Sequence, residues 1–180
     1  MSTIAVGTAA PSFELPDTEG VRHSVGGAGA TPAPATVVVF TCNHCPYALA
    51  WHDRLIAVAR DYADQGVTTL FVNSNDAERY PRDSFEAMKG RVRGDGGWPV
   101  PYLRDEDQSV ARAYGAQTTP DVFVIAPDNA VAYRGAPDAD HGDPSQDAAW
   151  LRAALDAVLE GRPVDRAETK PVGCSIKWKP

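Results

Sequence analysis

Cysteine, basic residues and long apolar runs are all scarce in this chain, and each shortage removes a class of protein. Three cysteines among 180 residues are too few for a disulfide scaffold. An odd number also leaves one without an internal partner, so the sulfurs point to reactive use rather than stapling. Lysine and arginine number 17 against 24 aspartates and glutamates, a formal net charge of −7. Like charge would repel a nucleic acid or an anionic membrane on approach, so neither is an expected partner. No apolar run approaches the ~20 residues that a membrane span needs, and residues 1–7 hold neither a basic start nor a long apolar segment. Location in the cytoplasm is the expectation. The glycines at 26–29 are not followed by Lys-Ser/Thr, which a phosphate-cradling loop requires.

What is present centres on Thr41-Cys42-Asn43-His44-Cys45-Pro46-Tyr47, directly after the apolar run Thr36-Val37-Val38-Val39-Phe40. Two cysteines separated by two residues, where a buried strand hands over to a helix, are arranged so that one sulfur attacks and the other releases the product. Unpaired N–H groups and the positive end of a helix stabilise a thiolate at such a position.

Around this stretch the periodicities predict an α/β domain. Phe13 and Leu15 alternate with Ser12 and Glu14, Asp17-Thr18-Glu19-Gly20 supplies turn chemistry, and residues 21–25 alternate again, which predicts a β-hairpin. Leu49, Leu55, Ile56, Ala59, Tyr62 and Ala63 recur at helical spacing up to Gly66, and residues 67–73 form a second strand, so a parallel crossover joins the two strands. A helix is expected to begin at Pro81 and to end in a loop at 94–99. Next come a short strand at Tyr102-Leu103, a helix over 108–114, and an antiparallel hairpin of 121–125 with 130–134. Asp143-Pro144-Ser145-Gln146 reads as the N-cap of a last helix, with Trp150, Leu151, Leu155, Val158 and Leu159 on one face. Residues 162–180 form a polar tail that nonetheless ends in Cys174, Ile176 and Trp178. Such a tail is expected to pack on the domain, which is read as a single unit over 1–180.

These stretches resemble the thioredoxin superfamily, and within it the peroxiredoxin-like redoxins of the alkyl hydroperoxide reductase and thiol-specific antioxidant group. The resemblance rests on the Cys-Asn-His-Cys motif, Ala10-Pro11-Ser12-Phe13-Glu14-Leu15-Pro16-Asp17, Asn73-Ser74-Asn75-Asp76, Thr119-Pro120-Asp121 and the ending Gly173-Cys174-Ser175-Ile176-Lys177-Trp178. It implies a thioredoxin-like fold with a central mixed sheet flanked by helices, an N-terminal hairpin and a helical insertion over 76–101. It also implies thiol–disulfide or antioxidant activity without a dissociable cofactor or metal. Expected partners are protein or small-molecule disulfides or peroxides, with a thioredoxin- or glutathione-type electron donor.

Carried over residue by residue, the resemblance makes Cys42 the attacking sulfur and Cys45 the resolving one, with Thr41, Asn43 and His44 tuning the pair. It implies a cis bond before Pro120, with Thr119 facing the cysteines and the edge of that loop pairing with substrate backbone. Asp76 is the implied proton acceptor for the resolving thiol. Cys174 either resolves a disulfide with Cys42 or Cys45 or stays a bystander. Peroxiredoxins carry a threonine three residues before the attacking cysteine; here Cys42 fills that slot before Cys45 and Val39 fills it before Cys42. Peroxide reduction by Cys45 is therefore the second reading and dithiol exchange the first. A zinc module built from Cys42, Cys45, Cys174 and one of His44, His23, His52 or His141 lacks the usual second short ligand pair. The intact Cys-x-x-Cys speaks against a redox-inactive adaptor.

Overall fold

A computed structural model describes residues 2–180. In chain order it contains β1 (Phe13–Pro16), β2 (Arg22–Val25), β3 (Thr36–Phe40), α1 (Pro46–Ala63), β4 (Thr68–Asn73), α2 (Phe85–Gly94), β5 (Tyr102–Arg104) and α3 (Ser109–Tyr114). These are followed by β6 (Thr118–Thr119), β7 (Asp121–Ile125), β8 (Val131–Gly135), α4 (Ala149–Leu159) and β9 (Cys174–Ser175). The central sheet runs β5-β4-β3-β7-β8. β3, β4 and β5 are parallel, whereas β7 and β8 run against them, so the sheet is mixed. β1 and β2 form the separate N-terminal hairpin.

Strand β3 shows why the sheet is covered on both sides. Val37 and Val39 point to one face, where they pack with Trp51 and Leu55 of α1 and Leu151 and Leu155 of α4. Val38 and Phe40 point to the other, against Val110 and Tyr114 of α3, Leu15 of the hairpin and Ile176 of the tail. Alternation along a strand buried on both faces leaves no polar position to interrupt the apolar run.

Two expected helix starts move. α2 starts at Phe85, because Pro81–Asp83 makes a single 3-10 turn and the Ser84 hydroxyl caps the helix by accepting the Ala87 N–H at 3.2 Å. α4 starts at Ala149 instead of following Asp143. The reason is the fully buried Asp138, which accepts the Ala148 N–H at 2.9 Å, Trp51 Nε1 at 2.7 Å and Arg54 Nη1 at 3.0 Å. Arg54 also donates to the carbonyls of Asp140, His141 and Asp143, which keeps that stretch a loop.

Asp121, first residue of β7, is enclosed with the Gln117 N–H at 3.0 Å as its donor. Loss of water pushes its carboxyl from the usual 3.8 up to about 7. The folded chain thus holds this proton more tightly than the unfolded chain, so the group's contribution to stability is full below about 4 and falls as pH rises to about 7. Asp121→Asn, which keeps an acceptor oxygen, is expected to flatten that decline in denaturant midpoints measured across this range.

Candidate active site

The register places the thiols. Phe40 ends β3 opposite Asp121, which begins β7, so the chain entering β7 at Thr119-Pro120 lies across from the chain leaving β3 at Thr41-Cys42. Thr41 is buried, and its N–H donates to the Val72 carbonyl at 2.8 Å, carrying the ladder one residue past the strand. The Thr119–Pro120 bond is cis. Cys42 Sγ lies 3.3 Å from the Thr119 hydroxyl oxygen, and Cys45 Sγ lies 3.0 Å from the Thr119 carbonyl oxygen.

The helix start falls at Cys45 and not at Cys42, the sulfur expected to attack. Pro46 is the first helical residue and Cys45 is the N-cap, so Cys42 stands four residues ahead of the start of α1. Proline is well suited to that first position, since its missing N–H would have had no intrahelical acceptor. The N–H groups of Ala48 and Cys174 turn toward Cys45 Sγ, although neither makes a full side-chain cap.

Cys174 is brought to the same place by the tail. β9 pairs antiparallel with β6, setting Cys174 opposite Thr119 and Ser175 opposite Thr118. The half-buried Cys174 packs on the cluster of Cys42, Cys45 and Ala48, in which both motif cysteines are fully buried. All three are free thiols. Ile176 is buried, its N–H donates to the Gln117 carbonyl at 3.1 Å, and Trp178 lies under the Arg112 guanidinium. Gly173 permits this docking, because a Cβ there would sit 2.2 Å from the Thr119 carbonyl oxygen.

The two motif thiols divide their proton unequally. Donation from the Cys42 S–H is the main influence holding Cys45 well below the usual thiol range, and the Cys174 S–H and nearby backbone N–H groups act in the same direction against burial. Cys42 is pushed up by that same hydrogen bond, then by burial, then by the charge of Asp83. The Thr119 carbonyl accepts the Cys45 S–H when that sulfur is protonated and opposes the thiolate when it is not; donors outnumber it. Burial, followed by the neighbouring Cys45, raises the Cys174 thiol to about 11.

The insertion forms the opposite wall. Arg91 Nη1 donates to the Cys42 carbonyl at 2.9 Å, Asn43 Nδ2 to the Arg82 carbonyl at 2.8 Å, and the Tyr102 hydroxyl to Asn43 Oδ1 at 2.9 Å. His44 stacks on Tyr80 with its plane only 2° away. His44 Nδ1 stands 2.6 Å from Asp83 Oδ2, within ion-pair distance but not aligned as a hydrogen bond. The carboxylate beside Cys42 is thus Asp83, a residue of the expected helix start. Asp76, the expected proton acceptor, is directed elsewhere: its Oδ1 accepts the Glu78 N–H at 3.1 Å, and its own N–H donates to the Lys177 carbonyl at 2.8 Å. No local pattern marks Asp83; its position comes from a fold that brings residue 83 back over residues 42–44.

Cys42, His44 and Asp83 are the only set of at least three possible metal-ligating residues among the described residues, with their atoms within 4.8 Å of one another. The fit to a metal is poor. Asp83 Oδ1 already accepts from the Asn43 N–H and Asn73 Nδ2, and Oδ2 from Asn75 Nδ2 with His44 beside it. His23 is paired with Asp17, His52 lies on Trp98, and His141 lies on Tyr47, so none of them completes a set with the sulfurs.

The sequence profile of the AhpC/TSA family matches residues 6–134. An uncharacterized conserved protein from Geobacillus kaustophilus is 42% identical, with 98% of this chain and 93% of that one covered and a TM-score of 0.90. A hypothetical protein from Sinorhizobium meliloti 1021 is 39% identical over 99% of this chain and 97% of its own, also with a TM-score of 0.90. A thiol:disulfide interchange protein of the thioredoxin family from Chlorobium tepidum TLS is 20% identical over 87% and 99%, with a TM-score of 0.65. That likeness shows the thioredoxin-like fold. No curated protein matches the chain.

Proposed function

This chain belongs to the AhpC/TSA family, and from that premise we propose that it is a thiol–disulfide oxidoreductase working through Cys45, Cys42 and Cys174. One observation carries the reading: sulfurs from two distant parts of the chain share one buried cluster beside Thr119. The Cys45 thiolate attacks a sulfur of the substrate disulfide, the substrate S–S bond breaks, and one substrate thiolate leaves and takes up a proton. A second enzyme thiol, deprotonated as it reacts, then attacks Cys45 Sγ. The mixed disulfide breaks, the second substrate thiol departs, and two electrons have passed from the enzyme to the substrate. One thioredoxin-type dithiol, or two glutathione-type thiols that leave as their own disulfide, restore the enzyme. The electrons reside in sulfur throughout, so the reading needs no dissociable cofactor.

First attack by Cys45 departs from the order of the motif. It is supported by the helix start at Pro46 and by the donors gathered on Cys45. The reading treats residues 1–180 as one working unit, tail included. No helix among the described residues is long and apolar enough to cross a membrane, which is compatible with the proposed site of action in the cytoplasm.

Stopped-flow oxidation by hydrogen peroxide, set against exchange with a disulfide on wild type and each Cys→Ser variant, tests the reading. Faster exchange than peroxide reduction supports it. Faster peroxide reduction, lost in Cys45→Ser, assigns the chain to the peroxidases instead.

A further inference from the structure

Asp83 is fully buried, and among the described residues its carboxylate lies at ion-pair distance from His44 and from no lysine or arginine. Arg104 Nη1 reaches only its main-chain carbonyl, at 3.2 Å, and Arg91 is engaged at the Cys42 carbonyl. Neutral donors surround the carboxylate instead: the Asn43 N–H at 2.7 Å, Asn75 Nδ2 at 2.8 Å and Asn73 Nδ2 at 3.1 Å. The groups facing it that can carry charge are His44 and Cys42 from the loop before α1, Tyr102 and Arg104 from β5, and Arg91 from α2. Three amide donors therefore satisfy the carboxylate oxygens without carrying a charge of their own.

We infer that Asp83 is a positioning residue of the thiol pair: it pins the Cys42–His44 loop and, by its charge, holds the proton on Cys42 so that the thiolate forms on Cys45. The inference rests on the dithiol reading and adds to it the group that decides which sulfur is the nucleophile. The contact to the Asn43 N–H supplies the pinning, since that amide lies next to Cys42 in the chain. The charge acts on Cys42 because a thiolate within 4.8 Å of a carboxylate, away from water, is a like-charge pair. The Cys42 upward shift, to which Asp83 contributes, runs in the same direction. A site that could ionise either sulfur would divide its thiolate between them. With the carboxylate on the Cys42 side, the negative charge goes to the sulfur at the helix start, and Cys42 is left as a proton donor toward it.

The test reads Cys42 alone. In a Cys45→Ser/Cys174→Ser protein, the rate of Cys42 alkylation is followed against pH with Asp83 present, with Asp83→Asn and with Asp83→Glu. Asn removes the charge at nearly constant shape, and the midpoint is expected to fall by about one pH unit or more, roughly a tenfold faster alkylation at neutral pH. Glu, which restores the charge, is expected to return the profile toward that of Asp. Coincident Asp and Asn profiles would overturn the inference. If Asp83→Asn does not fold, the carboxylate carbon resonance of Asp83 in the double-serine protein takes its place. That resonance must move across the Cys42 midpoint, and one that stays put overturns the inference equally. Neither readout needs a substrate to turn over, so an enzyme inactive on disulfides would sink the dithiol reading and leave this result to be judged separately.

Discussion

Cys45→Ser is expected to lower disulfide reduction by on the order of a thousandfold or more, because a hydroxyl is almost un-ionised at neutral pH and cannot make the first attack. Cys42→Ser should behave differently. It keeps the nucleophile, and Cys174 remains packed against Cys45 to accept the second step, so substrate should accumulate as a mixed disulfide only if Cys174 fails to take over. The motif order by itself implies the reverse, with Cys42 indispensable. Initial rates on the two single variants, with mass spectrometry of trapped adducts, separate the two. A Cys45→Ser protein that still forms adducts on Cys42 at the wild-type rate would refute first attack by Cys45.

The pH profile follows with a definite sign. Cys45 is held well below the ordinary thiol range, chiefly by donation from the Cys42 S–H. Its alkylation rate should therefore stay level through neutral pH and fall only in acid, as the proton returns to the sulfur. Cys42→Ala removes that donor, and the midpoint should move up.

Gly173→Val is expected to release the end of the tail. A Cβ at 173 would meet the Thr119 carbonyl oxygen at 2.2 Å and its carbon at 2.7 Å, and both are backbone atoms that cannot turn aside. Separation of β9 from β6 would also withdraw Ile176 from the core, a loss of about 1.5–3 kcal/mol. Lost with it are the Lys177 N–H to Asn75 Oδ1 bond at 2.9 Å and the Gln108 Nε2 to Lys177 carbonyl bond at 2.8 Å. The earlier part of the tail should stay docked, since Arg134 N–H donates to the Ala167 carbonyl and Thr169 N–H to the Arg134 carbonyl, both at 3.0 Å.

Two measurements check the release. Peptide mapping after mild oxidation should lose linkages to Cys174 and retain Cys42–Cys45. Alkylation of the two motif cysteines, fully buried while the tail is docked, should become faster. Cys174 linked as in wild type would show that the tail tolerates a side chain at 173 and that its docking does not depend on this glycine.

Much of the fold was legible in the chain because its signals are local. The continuous apolar run before Cys42, the helical spacing from Leu49 to Ala63 and the glycine after Tyr114 each specify backbone within a few residues, and all appear where expected. The helices expected to start at 81 and 143 start later for a common reason. A proline opens a single turn as readily as a helix, and the choice at 143 was made by Asp138 and Arg54, which meet it only in three dimensions.

The site divides along the same line. The sequence by itself determined the two-residue spacing of Cys42 and Cys45, the strand that delivers them, and a tail with Cys174, Ile176 and Trp178 in alternate positions, because spacing and periodicity are properties of neighbours in the chain. Tertiary structure alone decided that the helix begins directly after Cys45, that Cys174 lies across from Thr119 and not loose in solvent, and that Asp83, rather than Asp76, stands beside Cys42. Those outcomes depend on sheet register, on the close approach that Gly173 allows, and on where an insertion folds back. The field at a sulfur is summed over atoms near it in space, whatever their distance along the chain.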